Sequence, residues 1–186
     1  RKRYQERLRQ DLDRSLEMAV TDSLTGLRNR RYVRRHLEGV LRNSGAAALL
    51  VDVDRFKSVN DTYGHAAGDV VLREVAERLR GHLRAADVVA RYGGEEFLVV
   101  LSASPREDAM MVAERLRSAV AGEPVRAEGE ALRITASIGV ASGEAGTPPD
   151  DLVAAADAAL YRAKNNGRNR VEAAVRADWP PGKEAG

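Results

Sequence analysis

Apolar residues fall into three rhythms along this chain. Over residues 1–20, Tyr4, Leu8, Leu12 and Leu16 stand among charged neighbours, nearly one helical turn apart, and form one narrow apolar stripe on a helix. The step drifts from a strict heptad. Two readings stay open: a solvated helix packed on its own domain, or a signalling helix that joins an upstream module and pairs with a second chain. Thr21, Asp22 and Ser23, cap and turn formers, end it. A second helix is predicted over Asn29–Arg42, with Tyr32, Val33, Leu37, Val40 and Leu41 inward. Ala46–Val53 changes the rhythm to a continuous small-apolar run, the mark of a central strand covered on both faces.

Residues 55–69 are rich in turn formers, and a helix follows over Val70–Leu83 with Val71, Leu72, Val75, Leu79 and Leu83 inward. Val88–Ala90 and Phe97–Leu101 flank Gly93-Gly94. That is a hairpin signal, because glycine takes the positive φ of a tight turn. A helix spans about Arg106–Ala121. Leu132–Ser142 brings the third rhythm, strict alternation, which predicts a half-buried strand with Gly139 as a bulge or a close approach. Asp150–Asn165 is helical and stops at Asn165-Asn166-Gly167, and Asn169–Ala174 is a short edge strand. We read residues 1–20 as a linker helix, 21–175 as one domain, and 176–186 as a loose tail; Trp179 there has no assigned role.

The 186 residues are 44% hydrophobic but only 4% aromatic, so the core is built from Ala, Val and Leu. Thirty basic and 28 acidic residues leave a net charge of +2, which argues against a dedicated nucleic-acid binder. There is no cysteine, which excludes disulfides and thiolate metal sites. No apolar run reaches transmembrane length and no signal peptide is visible, so the expectation is a cytoplasmic protein. The chain starts without Met inside a helical pattern, as a fragment of a longer protein would.

Two stretches carry candidate chemistry. Alternation puts Asp52 and Asp54 on one strand face, and both stay charged only beside a cation; the alternative is a loop-capping pair. Arg91-Tyr92-Gly93-Gly94-Glu95-Glu96-Phe97 puts bare backbone and two acids at one tip. Missing Cβ atoms let an anion approach, and acids beside a phosphate imply an intervening cation, usually Mg²⁺. Asn60 and Asp69 have the donors and acceptors to read guanine, the carboxylate taking N1–H and N2–H and the amide donating to O6 or N7. The plainer alternative for both is a turn or cap residue.

Five stretches in order then resemble the GGDEF domain, the diguanylate cyclase module of bacteria: Asp22–Leu27 with Asn29–Arg31; Asp52–His65 with Gly68-Asp69; Arg91–Phe97; Thr135–Val140; and Ala156-Asp157 through Lys164 to Gly167-Arg168-Asn169. The resemblance covers about residues 21–172, and Leu16–Asp22 is similar to the entry of the cyclase domain in response regulators. It implies an α/β (α+β) fold: a central, mainly antiparallel five-stranded sheet wrapped by helices, with the ferredoxin-like core of nucleotidyl cyclases and polymerase palms. It implies conversion of two GTP to cyclic di-GMP and two pyrophosphates by a homodimer, with upstream sensory or receiver domains.

By the same resemblance Asp52, Glu95 and the Val53 carbonyl hold Mg²⁺, with Mn²⁺ as a substitute. Glu96 assists the metal or activates the 3′-hydroxyl. Gly93 and Gly94 let the phosphates approach, Phe56 and Lys57 meet them through backbone amides, and Lys164 with Arg168 clamps the terminal ones. Asn60 and Asp69 read guanine. Arg84-Ala85-Ala86-Asp87 stands where the family binds inhibitory product, with Arg115 completing that site from a neighbouring domain; a helix-end ion pair is the alternative. The signature here reads Gly-Gly-Glu-Glu-Phe, which keeps an acid at the metal position.

Overall fold

In the computed structural model, which describes residues 1–103 and 105–181, the first element is α1 (Lys2–Val20). None of its residues is buried, and Tyr4, Leu8, Leu12 and Leu16 are all more than half exposed. Its last turn is tied down: Asn29 Nδ2 donates to the Ala19 carbonyl at 2.9 Å. After β1 (Arg28–Asn29) comes α2 (Arg30–Asn43), capped by Asn29, whose Oδ1 accepts from the Tyr32 amide. Val33, Leu37 and Leu41 are buried as expected. Tyr32 is only half-buried and carries the Arg28 guanidinium on its ring, 4.6 Å from the centroid.

All eight residues of β2 (Ala46–Val53) are buried. Next come α3 (Phe56–Tyr63), α4 (His65–Gly81), β3 (Val88–Arg91), β4 (Glu96–Ser102) and α5 (Arg106–Ala121). They are followed by β5 (Val125–Ala127), β6 (Glu130–Leu132), β7 (Ala136–Gly143), α6 (Pro149–Asn165) and β8 (Val171–Ala173). The main sheet has six strands in the order β1-β3-β4-β2-β7-β8. The inner pairings are antiparallel, and the outer strands β1 and β8 run parallel to their neighbours. The mainly antiparallel, helix-wrapped sheet is as expected; the sixth strand is the two-residue β1.

The parity of β2 sorts the core. Ala47, Leu49, Val51 and Val53 face one apolar cluster with Val71, Val75, Leu79 and Leu116 of α4 and α5. Ala46, Ala48 and Leu50 face the other, with Leu37 and Leu41 of α2 and Leu152 and Leu160 of α6. Asp52 shares the even parity, which aims it toward α6.

Four expectations are corrected. Residues 55–69 are helical, not a loop: Gly64 at φ 90° divides one helical run into α3 and α4, and the polar residues are their exposed faces. The stretch before β7 is a separate hairpin, β5–β6, turned by Glu128 and Gly129, both at positive φ. β7 is not half-buried, because α5 and α6 both pack on it and Ala136–Ala141 are all buried.

The tail is docked as far as residue 179, and residues 182–186 lie outside the described residues. Arg176–Asp178 forms a 3-10 turn, Asp178 accepts two hydrogen bonds from Arg162 at 2.7 Å, and Trp179 packs on the α2–α6 cluster. The Arg162 guanidinium holds the Asp178 carboxyl below its ordinary 3.8. A depressed acid stabilises the fold above its unfolded pKa and loses that effect as pH falls through its folded one. Asp178→Asn should therefore cost about 2 kcal/mol at neutral pH. The gap to wild type should close as pH falls below the ordinary carboxylate range, as read by chemical denaturation at several pH values.

Candidate functional site

The strand β2 ends where the β3–β4 hairpin turns. The Val53 amide donates to the Glu95 carbonyl at 3.1 Å, and Asp52 stands opposite Glu96 in register. Two backbone facts thus bring Asp52, Glu95 and Glu96 to one edge. Neither Gly93 nor Gly94 takes the positive φ expected of it. The turn closes instead through the Tyr92 and Gly93 amides, both donating to the Glu96 carbonyl. A Cβ on Gly94 would meet nothing within 4 Å, so its bare backbone faces open space.

Arg91 holds this tip. Its Nε and Nη2 donate to the Gly94 carbonyl at 3.1 and 2.9 Å, and its Nη1 reaches Asp22 Oδ1 at 3.3 Å. Asp22 also accepts from the amide and hydroxyl of Thr25. One chain of contacts therefore runs from the turn after α1 to the glycine corner. The sequence pattern gave Asp22 only a turn-forming role and Arg91 none. The signal was their opposite charge, which carries no information until the fold brings them together.

The two aspartates at the end of β2 have different fates. Asp54 accepts from the Thr135 and Ser137 hydroxyls at 2.7 and 2.6 Å and from the Asn169 backbone amide at 3.0 Å. It is a strut between β2, β7 and the loop after α6. Asp52 is buried and meets a cation, Lys164 Nζ, at 2.9 Å. Burial pushes the Asp52 carboxyl up, with Glu95 and Asp54 adding to the rise and Lys164 opposing it. Burial also raises Glu96, with Asp52 and Asp157 in support. Acids outnumber cations at this edge.

Asn60 on α3 and Asp69 on α4 are brought to neighbouring turns by the bend at Gly64. Gly68 lies against Asn60: a Cβ there would collide with Asn60 Oδ1 and come within 3.2 Å of Phe56 Cζ. Phe56 and Lys57 open α3, whose preceding residue Arg55 sits at φ 53° and provides no side-chain cap. Its first amides therefore carry no side-chain cap, as an anion would need. Lys164 is engaged on Asp52, while Arg168, at φ 60°, lines a cleft of about 390 Å³ with Arg55 and Arg133 on the α3 side.

Arg84 and Asp87 form no side-chain ion pair. Asp87 Oδ2 caps the Arg84 amide at 2.9 Å, which leaves the Arg84 guanidinium exposed. Arg115 of α5 donates to the His82 carbonyl at 2.8 Å, which places it close to that turn within the same chain.

Residues 19–170 match the family described as diguanylate cyclase, GGDEF domain. The chain belongs to the GGDEF family. This GGDEF domain is 49% identical over 179 residues to the response regulator PleD of Caulobacter vibrioides, covering 92% of this chain and 39% of that protein. It thus spans well under half of that relative's length. Among solved structures it superposes on the coiled coil and GGDEF domain of DgcB from Caulobacter crescentus in complex with c-di-GMP. The TM-score is 0.88 at 32% identity, over 93% of this chain and 95% of that one. The active GGEEF domain of a diguanylate cyclase from Vibrio cholerae gives a TM-score of 0.72 at 33% identity, over 80% and 97%. Among the described residues of this GGDEF domain, no helix is long and apolar enough to cross a membrane.

Gly68→Ala tests the Asn60 arrangement. The added methyl must displace the Asn60 amide, so affinity for GTP as a guanine probe should fall roughly tenfold to a hundredfold, the scale of one or two lost hydrogen bonds. Circular dichroism and melting should change little. Titration with GTP reads the effect.

Proposed function

We propose that this domain is a diguanylate cyclase, joining two GTP into cyclic di-GMP with release of two pyrophosphates. The observation that carries the reading is the convergence of Asp52, Glu95 and Glu96 at one edge beside open glycine backbone, within a chain of this family. Mg²⁺ is commonly held by one or two carboxylates plus substrate phosphates. Asp52, Glu95 and the Val53 carbonyl would hold it, and Mn²⁺ would substitute. Bound there, the ion would neutralise phosphate charge and lower the pKa of the 3′-hydroxyl.

The protein's own groups do the rest. Asn60 and Asp69 hold the guanine, and an adenine leaves them unpaired. The first amides of α3, at Phe56 and Lys57, receive phosphate oxygens; Lys164 and Arg168 take the terminal ones. Gly93 and Gly94 keep the approach clear. Glu96, raised by burial, is suited to accept the proton of the attacking 3′-hydroxyl.

The product is two-fold symmetric and each domain holds one GTP, so two copies face each other about an axis. The exposed stripe of α1 is the surface that would pair them, since Tyr4, Leu8, Leu12 and Leu16 are left uncovered on one helix face. In the longer protein this helix would carry the state of upstream sensory or receiver domains. DgcB, with its coiled coil, supports this assignment. Incubation with GTP or ATP and Mg²⁺, followed by nucleotide separation, tests the reading. GTP alone should yield the cyclic dinucleotide, with specific activity falling on dilution. Intact GTP at every protein concentration would leave a binding module, and turnover of ATP would move the domain to another cyclase class.

Arg84, Asp87 and Arg115 are proposed to bind the product and hold the two active sites apart. Guanidinium groups stack on or fork onto guanine, and a carboxylate accepts its N1–H and N2–H. Arg84→Ala should keep turnover and raise the inhibitory concentration of added product at least about tenfold; unchanged inhibition removes this site from the account.

A further inference from the structure

We infer that Lys164 is a placeholder cation: in the free protein its ammonium occupies Asp52 in place of the divalent ion, so the ion enters only with a nucleotide. The inference rests on the reading of Asp52 as a metal ligand and concerns how that ligand is kept between turnovers. Asp52 is 7% exposed, and a buried carboxylate without a partner is costly. Asp54 already has two hydroxyls and one backbone amide as partners, and the lysine is on Asp52 instead. Lys164 alone hydrogen-bonds the Asp52 carboxylate among the described residues, at 2.9 Å.

The lysine is built to leave. It sits in the last turn of α6 with its side chain 36% exposed, on a flexible four-carbon stem. The backbone that carries it is fixed, because α6 lies directly on β7 at Gly139. Only the ammonium has to move. Two carboxylates and one carbonyl hold a divalent ion only weakly without substrate oxygens, too weakly to displace the ammonium. A triphosphate supplies both what the ion lacks and a new anion for Lys164. One cation leaves as the other arrives, and Asp52 is never bare.

The test is Mn²⁺ binding without nucleotide, followed by the electron paramagnetic resonance of the free ion. Lys164→Met should bind one Mn²⁺ at least about tenfold tighter than wild type, because a competing positive charge has gone. Lys164→Arg, which keeps the charge, should stay as weak as wild type. Adding Asp52→Asn to Lys164→Met should abolish the gain. Melting of Lys164→Met should rise on adding Mn²⁺ more than that of wild type does. Equal affinity in wild type and Lys164→Met, or no Mn²⁺ on Lys164→Met, overturns the placeholder. Tighter binding that survives Asp52→Asn would instead remove Asp52 from the metal site, a distinguishable failure of the underlying reading.

Discussion

Asp52→Asn is expected to lower turnover on the order of a thousandfold while leaving the fold intact. The amide keeps the shape of the carboxylate at the end of β2 but no longer anchors a divalent ion. The register of β2 with β4 and β7 comes from the backbone and survives. Stability should even rise slightly at neutral pH. Burial raises the Asp52 carboxyl above its ordinary range, so its charged form is held at a cost in the folded state. A raised acid weakens the fold as pH climbs through its folded pKa. The variant's advantage should therefore appear at neutral pH and fade at acid pH, where wild type is protonated. Pyrophosphate release and urea denaturation at two pH values read both effects. A near-normal rate would take Asp52 out of the chemistry.

Gly139→Ala is the second large effect, and it strikes the fold. A Cβ on Gly139 would collide with the Ala156 carbonyl and the Leu160 amide of α6, and come within 2.9 Å of Leu160 Cα. These are backbone atoms inside a helix, so no rotamer change relieves the overlap and α6 must lift off β7. We expect a loss of about 3 kcal/mol and a fall in Tm of roughly 6–12 °C. Lys164 rides on the same helix, so GTP affinity should fall alongside. Scanning calorimetry with nucleotide titration checks both. A stable variant with an unshifted Tm would mean that the helix does not seat on this glycine.

Much of this was legible in the chain because one physical signal dominated each stretch. The unbroken apolar run at 46–53 could only be a strand buried on both faces, and its terminal Asp52 follows from parity. Residues 55–69 misled, because Asn60, Asp61 and Thr62 are turn formers that here sit on the wet face of α3. Only Phe56 and Val59 mark the buried side, too few to show a period. The β5–β6 hairpin was hidden because its strands are three residues each. Trp179 looked idle in a tail of prolines and glycines. Its docking depends on Arg162 meeting Asp178, a pairing that exists only once α6 and the tail come together. Lys164 was placed by resemblance on phosphate, and its contact with Asp52 is a through-space fact that no spacing encodes.

The most direct measurement is a crystal structure of this domain with a non-hydrolysable GTP analogue and Mg²⁺. The account predicts one ion shared by Asp52 and Glu95 against the phosphates, guanine between Asn60 and Asp69, and Lys164 moved from Asp52 onto phosphate. An analogue seated elsewhere, with Lys164 still on Asp52 and no ion between the two acids, would contradict it.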